Sequence, residues 1–315
     1  MDRKLDRREF LKRGAGAAAL FGGALAGPFS GTGLARGARG GLPAVAVVQG
    51  KDYLANAEKA VNLLGGMQKF VSKGAKVAIL PNTQSSHPGT FTKPEIVRAV
   101  VRMCFKAGAG EVNCLSWLPE KFWTATGLAG VLKEEGAALK IVDLKAEAQF
   151  RPVALPKGKF LREAKVMEEL FKNDCLINLP ITKDHAGNHF TGAMKNMMGL
   201  NFAGVNRTFH SGDFKTKPDD IDRLDQGIAD LNLAISPALH IVDATEIITT
   251  NGPFGPGELA TPRKIVAGVD RIAVDSYCAT VLGLKPADIL MIRKGFEHGL
   301  GQMDLTKVRV QEVSA

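Results

Sequence analysis

The sequence predicts an α/β fold: a largely parallel sheet, or sheets, covered by helices and arranged as one body or as two lobes around a cleft. Three observations carry this reading. Short apolar, β-branched runs bounded by turn residues recur along the chain, helical patterns separate most of them, and polar, glycine-bearing segments follow directly where several runs end. Strand alternating with helix at this spacing implies parallel neighbours with both sheet faces covered.

In chain order the strand-like runs are AVAVV (44–48), KVAIL (76–80), EVNCL (111–115), LKIVD (139–143), CLINL (175–179), LHIVDA (239–244) and KIVAG (264–268), with KVRVQEV as a last strand. The helical patterns begin with NAEKAVNLLGGMQKFV ahead of the second run. KPEIVRAVVRMCFKAGA then opens with Pro94, suited to a first helical turn, and ends in glycine and alanine. Residues 217–235 form another helix, opened by Pro218 and by acids that suit its positive end. DRIAVDSYCATVLGL and PADILMIRKGFEHGLG close the series. RPVALPKGK, near 150–165, marks either a boundary between lobes or a hairpin.

Ahead of the first strand, Arg7 and Arg8 are followed by Glu9, Phe10, Leu11 and Lys12, and then by the Gly/Ala-rich run GAGAAALFGGALAG. This resembles a twin-arginine export signal. The run falls short of the about twenty large apolar residues that a membrane span needs. The expected division is a signal peptide over 1–35, cleaved near Ala35, a flexible junction over 36–43 and the folded part over 44–315. The expected partner is the twin-arginine translocase, the destination the periplasm or another extracytoplasmic space, with no stable membrane span after cleavage. That route carries chains already folded, which favours a bound cofactor without naming one.

The formal charge of +9 is misleading for the folded part. Residues 1–39 hold eight Lys/Arg and three acids, supplying +5 and leaving +4. No dense basic run with interleaved aromatics remains, which excludes nucleic acid as the expected partner. Cys104, Cys114, Cys175 and Cys278 lie far apart in apolar surroundings and form no CxxC pair, so no iron–sulfur cluster is expected to be bound by this chain. P-loop, GxSxG and strand-following GxGxxG motifs are missing, which argues against nucleotide hydrolysis, serine-hydrolase chemistry and Rossmann dehydrogenation.

In parallel α/β sheets ligands bind beyond the carboxyl ends of strands. Three segments there are rich in polar chemistry: PNTQSSHPGTFTKPE with Asn82 and Lys93, ITKDHAGNHFTGAMKN, and TEIITTNGPFGPG. All three are expected to line one cleft. In the second, His185 and His189 have the spacing of zinc ligands on a helix, but Gly187 and Asn188 favour a turn and the glutamate of HExxH is missing. Thr191 is expected to cap a short helix over 193–198 that Gly199 ends. Lys195 and Asn196 then stand near a helix start that attracts anions and, with Lys183, form a candidate carboxylate or phosphate site. His210 is a further candidate, with Asp213 placed to orient it, and Asp243 and Asp275 interrupt apolar sequence as candidate ligands for hydroxyls or cations.

PNTQSSHPGTFTKPEIVRAVVRMCFKAGAGEV, CLINLPITKDH with TGAMKNMMGL, IVDATEIITTNGPFGPG, DRIAVDSYCATVLGL and HGLGQMDLTKVRV resemble, in order, the segments of the family called domain of unknown function 362, over about residues 44–312. Many relatives carry an added ferredoxin-like segment with clustered cysteines, which this chain lacks. The resemblance implies no established activity and leaves a redox protein as a candidate partner; the reading from the residues is a cleft for a small anionic ligand or cofactor, with a role as a non-catalytic maturation factor for periplasmic redox proteins as one alternative. The chain is more distantly similar to the nickel-pincer lactate racemases, through Thr92, Lys93 and Pro94 and through the spacing of His185, Lys195 and His210. That similarity implies a metal-containing organic cofactor borne or contacted by Lys195, metal binding by His210, acid–base work by His185 and a substrate carboxylate held by Lys93. It makes a cofactor-dependent racemase, isomerase or oxidoreductase the other alternative.

Overall fold

The structure, a computed structural model, describes residues 43–214 and 216–315. The twin-arginine segment and nearly all of the predicted junction lie outside the described residues. The chain runs β1 (Val45–Gln49), α1 (Tyr53–Leu63), β2 (Lys76–Pro81), α2 (Pro94–Lys106), β3 (Glu111–Ser116), α3 (Glu120–Ala125), α4 (Leu128–Glu134), β4 (Ala138–Ile141), β5 (Phe150–Ala154), β6 (Glu163–Met167) and β7 (Cys175–Leu179). It continues through α5 (Ala193–Asn196), α6 (Ala203–Phe209), α7 (Pro218–Leu231), β8 (Leu239–Ala244), β9 (Ile247–Ile248), β10 (Leu259–Ala260), β11 (Lys264–Gly268), α8 (Arg271–Val281), α9 (Leu290–Glu297) and β12 (Val310–Ser314).

An eight-stranded sheet of order β12-β1-β11-β8-β7-β2-β3-β4 organises the molecule. All its pairings are parallel except the two made by β11, which runs against both β1 and β8. The apolar runs form strands because both sheet faces are buried, so side chains of both parities can be apolar. In β1, Val45 and Val47 enter one core and Ala46 and Val48 the other; in β2, Ala78 and Leu80 oppose Val77 and Ile79 in the same way. Fully burying each such valine, leucine or isoleucine contributes about 1.5–3 kcal/mol. Helices α1, α2 and α4 cover one face, and α7, α8 and α9 the other.

Local chemistry sets the helix ends. Asp52 accepts from Ala55 N at 3.0 Å and caps α1, while Gly65 and Gly66, with φ of 100° and 87°, stop it earlier than the sequence pattern suggests. Asp270 caps α8 by accepting from Ile272 N and Ala273 N, both at 2.9 Å. The stretch near 150–165 is a hairpin, β5 against β6 in antiparallel register, and strands from both sides of it join the one sheet. Its turn is held by Asp230 of α7, which accepts from Lys159 N, Phe160 N and Leu161 N at 3.0, 2.6 and 2.8 Å.

The order of strands creates the place for a site. From β2 the chain moves to β3 on one side, and from β7 it moves to β8 on the other, although β2 and β7 are neighbours. Their outgoing loops therefore diverge and leave a crevice beyond the carboxyl ends.

Candidate functional site

A cavity of about 640 Å³ occupies that crevice. The loop after β2 supplies Asn82, the loop after β7 supplies Lys183, His185 and Thr191, α5 supplies Lys195 and Asn196, and His210 follows α6. Residues 252–254 from the loop between β9 and β10 complete the enclosure, so all three polar segments reach one hollow.

The loop after β7 is pinched at its base. Lys183 and Thr191 form an isolated antiparallel bridge, with Thr191 N donating to Lys183 O at 2.9 Å and Lys183 N to Thr191 O at 3.3 Å. Between them residues 186–188 turn, as glycine and asparagine there favour. His189, φ +58°, is exposed while His185 is buried, so the two imidazoles do not share a helical face. Gly187 N donates to His185 Nδ1 at 3.0 Å, which assigns the neutral ring's proton to Nε2.

Lys183 is buried, and its Nζ donates to Thr90 O at 2.6 Å and Asn82 Oδ1 at 3.2 Å. Asn82 Nδ2 donates to Asn196 Oδ1, and Asn196 Nδ2 to Leu80 O and Asn178 Oδ1, at 3.2, 2.9 and 2.8 Å. This chain of amides fixes one wall of the cavity to β2 and β7. Lys195 is different: it is 8 % exposed, and its Nζ is buried without a hydrogen-bond partner. The Thr191 hydroxyl on the same wall is likewise buried and unpartnered.

Electrostatics follow from this crowding of cations. Burial, then the neighbouring Lys195 charge, lowers the Lys183 amine to about 7. Burial lowers Lys195 to about 8, opposed by Asp225. Burial and then Lys195 bring His210 down to about 4 and hold His185 far below the ordinary histidine range. The rings of His185 and His210 stand edge to face, with centroids 5.7 Å apart. Burial pushes the Asp225 carboxyl upward; its oxygens accept from Asn188 Nδ2 at 2.7 Å and Met291 N at 3.0 Å. The arrangement offers ammonium, hydroxyl and imidazole N–H donors to one guest and is short of negative charge.

Other candidates lie elsewhere. Thr191 does not cap α5: the capping position is Gly192, and the carboxylate of Asp275 reaches across from α8 to accept from Ala193 N at 2.5 Å and Met194 N at 2.9 Å. Asp275 is thus committed to the helix start and does not line the cavity. Asp243 is fully buried, accepting from Lys93 N, Thr245 N and Thr245 Oγ1 at 2.9, 2.9 and 2.7 Å, and also lies off the cavity wall. The Lys93 amine pairs with Glu246 at 3.2 Å and stands 6.0 Å from the Tyr53 ring centroid, outside the lining. Among the described residues, no group of three or more His, Cys, Asp or Glu side chains is gathered to hold a metal ion.

The sequence reading missed Trp117, Trp123, Asp225 and Arg207. Trp117 immediately follows β3, and the same carboxyl-end rule that drew attention to the other loops applies to it. Asp225 sits beside Leu224 and Ile228 on the buried face of α7, a carboxylate among apolar positions that could have been flagged.

Known proteins resemble this chain in sequence and in fold. The chain is 29% identical over 244 residues to a thylakoid-associated protein of Synechocystis, covering 75% of this chain and 72% of that one. Two solved structures are similar in general fold: a lactate racemase apoprotein from Thermoanaerobacterium thermosaccharolyticum (TM-score 0.47, 13% identity, 71% of this chain) and a Thermotoga maritima protein (TM-score 0.48, 15% identity, 75% of this chain). The aligned part spans 53% and 60% of those two chains. Residues 77–280 match the domain of unknown function DUF362, a stretch that runs from the second residue of β2 through most of α8 and contains every polar donor of the cavity wall, and the chain belongs to that family.

Proposed function

We propose that the protein binds a small-molecule oxyanion, a carboxylate or phosphate, in the crevice between the β2 and β7 loops. The observation that carries this reading is the amine of Lys195, a residue of the cavity lining, which is buried and lacks any hydrogen-bond partner. Leaving an ammonium unpaired away from water is costly, and a bound anion removes that cost. Lys183, the Thr191 hydroxyl and the His185 Nε2–H supply further donors, with Asn196 and Asn82 holding the wall in place. Calorimetric titration with acetate and inorganic phosphate tests the reading. Charge-assisted hydrogen bonds contribute about 1.5–3 kcal/mol, so Lys195→Met should weaken binding about 10- to 100-fold. Absence of anion binding, or equal affinity in the variant, refutes it.

A second reading is favoured by the two neutral imidazoles beside that amine. Lys195 and His210 would hold a metal-containing organic cofactor, which would supply an electron sink for racemase, isomerase or redox chemistry. His185, with Nδ1 committed to the Gly187 amide, would exchange a proton at Nε2. Metal analysis and intact mass of protein from its native host separate the readings: stoichiometric metal or an adduct on Lys195 selects the second. Export by the twin-arginine translocase belongs to the proposal as well, supported by Arg7, Arg8 and the apolar run behind them.

A further inference from the structure

The donors of the oxyanion site occupy only the β7 side of the cavity. Towards β3 and β4 the lining changes character, to Leu80, Leu115, Trp117, Trp123, Leu144 and Met198. Trp123 is 1 % exposed and spends its Nε1–H on Ser116 Oγ at 3.2 Å, so it has no donor left for a guest. Trp117 differs, because its Nε1 is buried with no partner. Residues lining the hollow from opposite parts of the fold, Lys195 and Thr191 on the β7 side and Trp117 on the β3 side, therefore each carry a buried polar atom without a hydrogen-bond partner.

Size points the same way. At about 30 Å³ per water-sized group, an acetate-sized anion fills on the order of 100 Å³, whereas the cavity holds about 640 Å³. That is within the about 300–1,000 Å³ of sites that enclose ligands with a substantial apolar body. A simple short-chain acid would leave the tryptophan end filled with water against apolar walls.

Resting on the oxyanion reading, we infer that the ligand is an aryl anion: a carboxylate or phosphate head at Lys195 and Thr191, a flat fused-ring-sized body between the tryptophans and the leucines, and a hydrogen-bond acceptor at its far end that meets Trp117 Nε1–H. Trp117 is then the specificity-determining donor. The chain's two tryptophans both line the cavity, so intrinsic fluorescence reports occupancy without a label.

The test titrates the full chain with acetate, inorganic phosphate, 2-naphthoate, 2-naphthyl phosphate and 6-hydroxy-2-naphthoate, read by calorimetry and tryptophan fluorescence. Burying the naphthyl surface at about 25 cal/mol per Å² predicts that at least one naphthyl anion binds about 100-fold or more tighter than its bare head group, with a change in tryptophan emission. The better-bound head separates carboxylate from phosphate. The 6-hydroxyl should add about 3- to 10-fold in the wild type, the gain from one neutral hydrogen bond, and Trp117→Phe should abolish that gain while retaining the naphthyl preference. The wild-type panel stands even if the variant folds poorly. If acetate or phosphate binds through Lys195 but the naphthyl anions bind no tighter, the aryl inference falls and the oxyanion reading survives. If no anion binds, both fall.

Discussion

Replacing Lys195 by methionine should make the ligand-free protein more stable, although it removes a charged residue from a wall of donors. Burial lowers the amine from 10.5 to about 8. A tenfold change in proton affinity is worth about 1.36 kcal/mol, so keeping that amine in the folded chain costs about 3 kcal/mol at pH 7. The folded state binds fewer protons than the unfolded state between the two values, so the penalty is complete below about pH 8 and fades as the pH approaches 10.5. Methionine matches the lysine stem in volume and strands no hydrogen-bonding group, because the amine makes no hydrogen bond to lose. The attraction to Asp225 disappears, but that carboxyl keeps its bonds from Asn188 and Met291. Urea unfolding of both proteins at pH 7 and pH 9.5 is the assay. The expected gain is about 3 kcal/mol at the lower pH and about half that at the higher, which at slopes of about 1–3 kcal/mol per molar moves the neutral-pH midpoint by about 1 M or more. A variant less stable at pH 7, or a gain that does not shrink at pH 9.5, refutes the reasoning.

Three further outcomes follow from the same geometry. Asp275→Ala strands two buried amides at the start of α5, Ala193 N and Met194 N, and should cost about 2–5 kcal/mol in urea unfolding. Gly252→Ala places a methyl 1.9 Å from the Asp184 carbonyl oxygen and should lower stability by about 1–3 kcal/mol or more in thermal melts. Oxyanion affinity should fall by about tenfold for each step of one in pH above about pH 8, as the free Lys195 amine loses its proton, and a flat calorimetric profile between pH 6 and pH 10 would contradict this.

The strands were legible because a sheet buried on both faces leaves continuous apolar runs, and each run named from the sequence, from 44–48 to 264–268, is a strand of the sheet. The location of the crevice was legible too, since the carboxyl-end rule needs only the strands' positions. Long-range geometry was not. Nothing in KIVAG indicates that β11 runs against its neighbours. Thr191 read as a cap because capping rules are local, whereas the actual acceptor, Asp275, arrives from 82 residues away. Asp243 and Lys93 looked available for ligands because sequence records residue type and not which partner has already claimed it. Trp117 was overlooked because one aromatic after a strand looks like ordinary core.

The bridge between Lys183 and Thr191 closes the seven residues from 184 to 190 into a loop that carries one of the cavity's imidazoles and is tied down by Asp184 and Ala186 on the 248–252 stretch and by Asn188 on Asp225. Substitutions at Ala186 and His189, its exposed positions, would leave β7, α5 and the amide relay beneath them untouched, whereas changes at Asn188 or the fully buried Phe190 would reach α7 and the core. In descendants of this scaffold, novelty in what is recognised can therefore arise by substitution at this loop's exposed positions, Ala186 on the cavity rim among them, while the foundation that positions Lys195 stays constant.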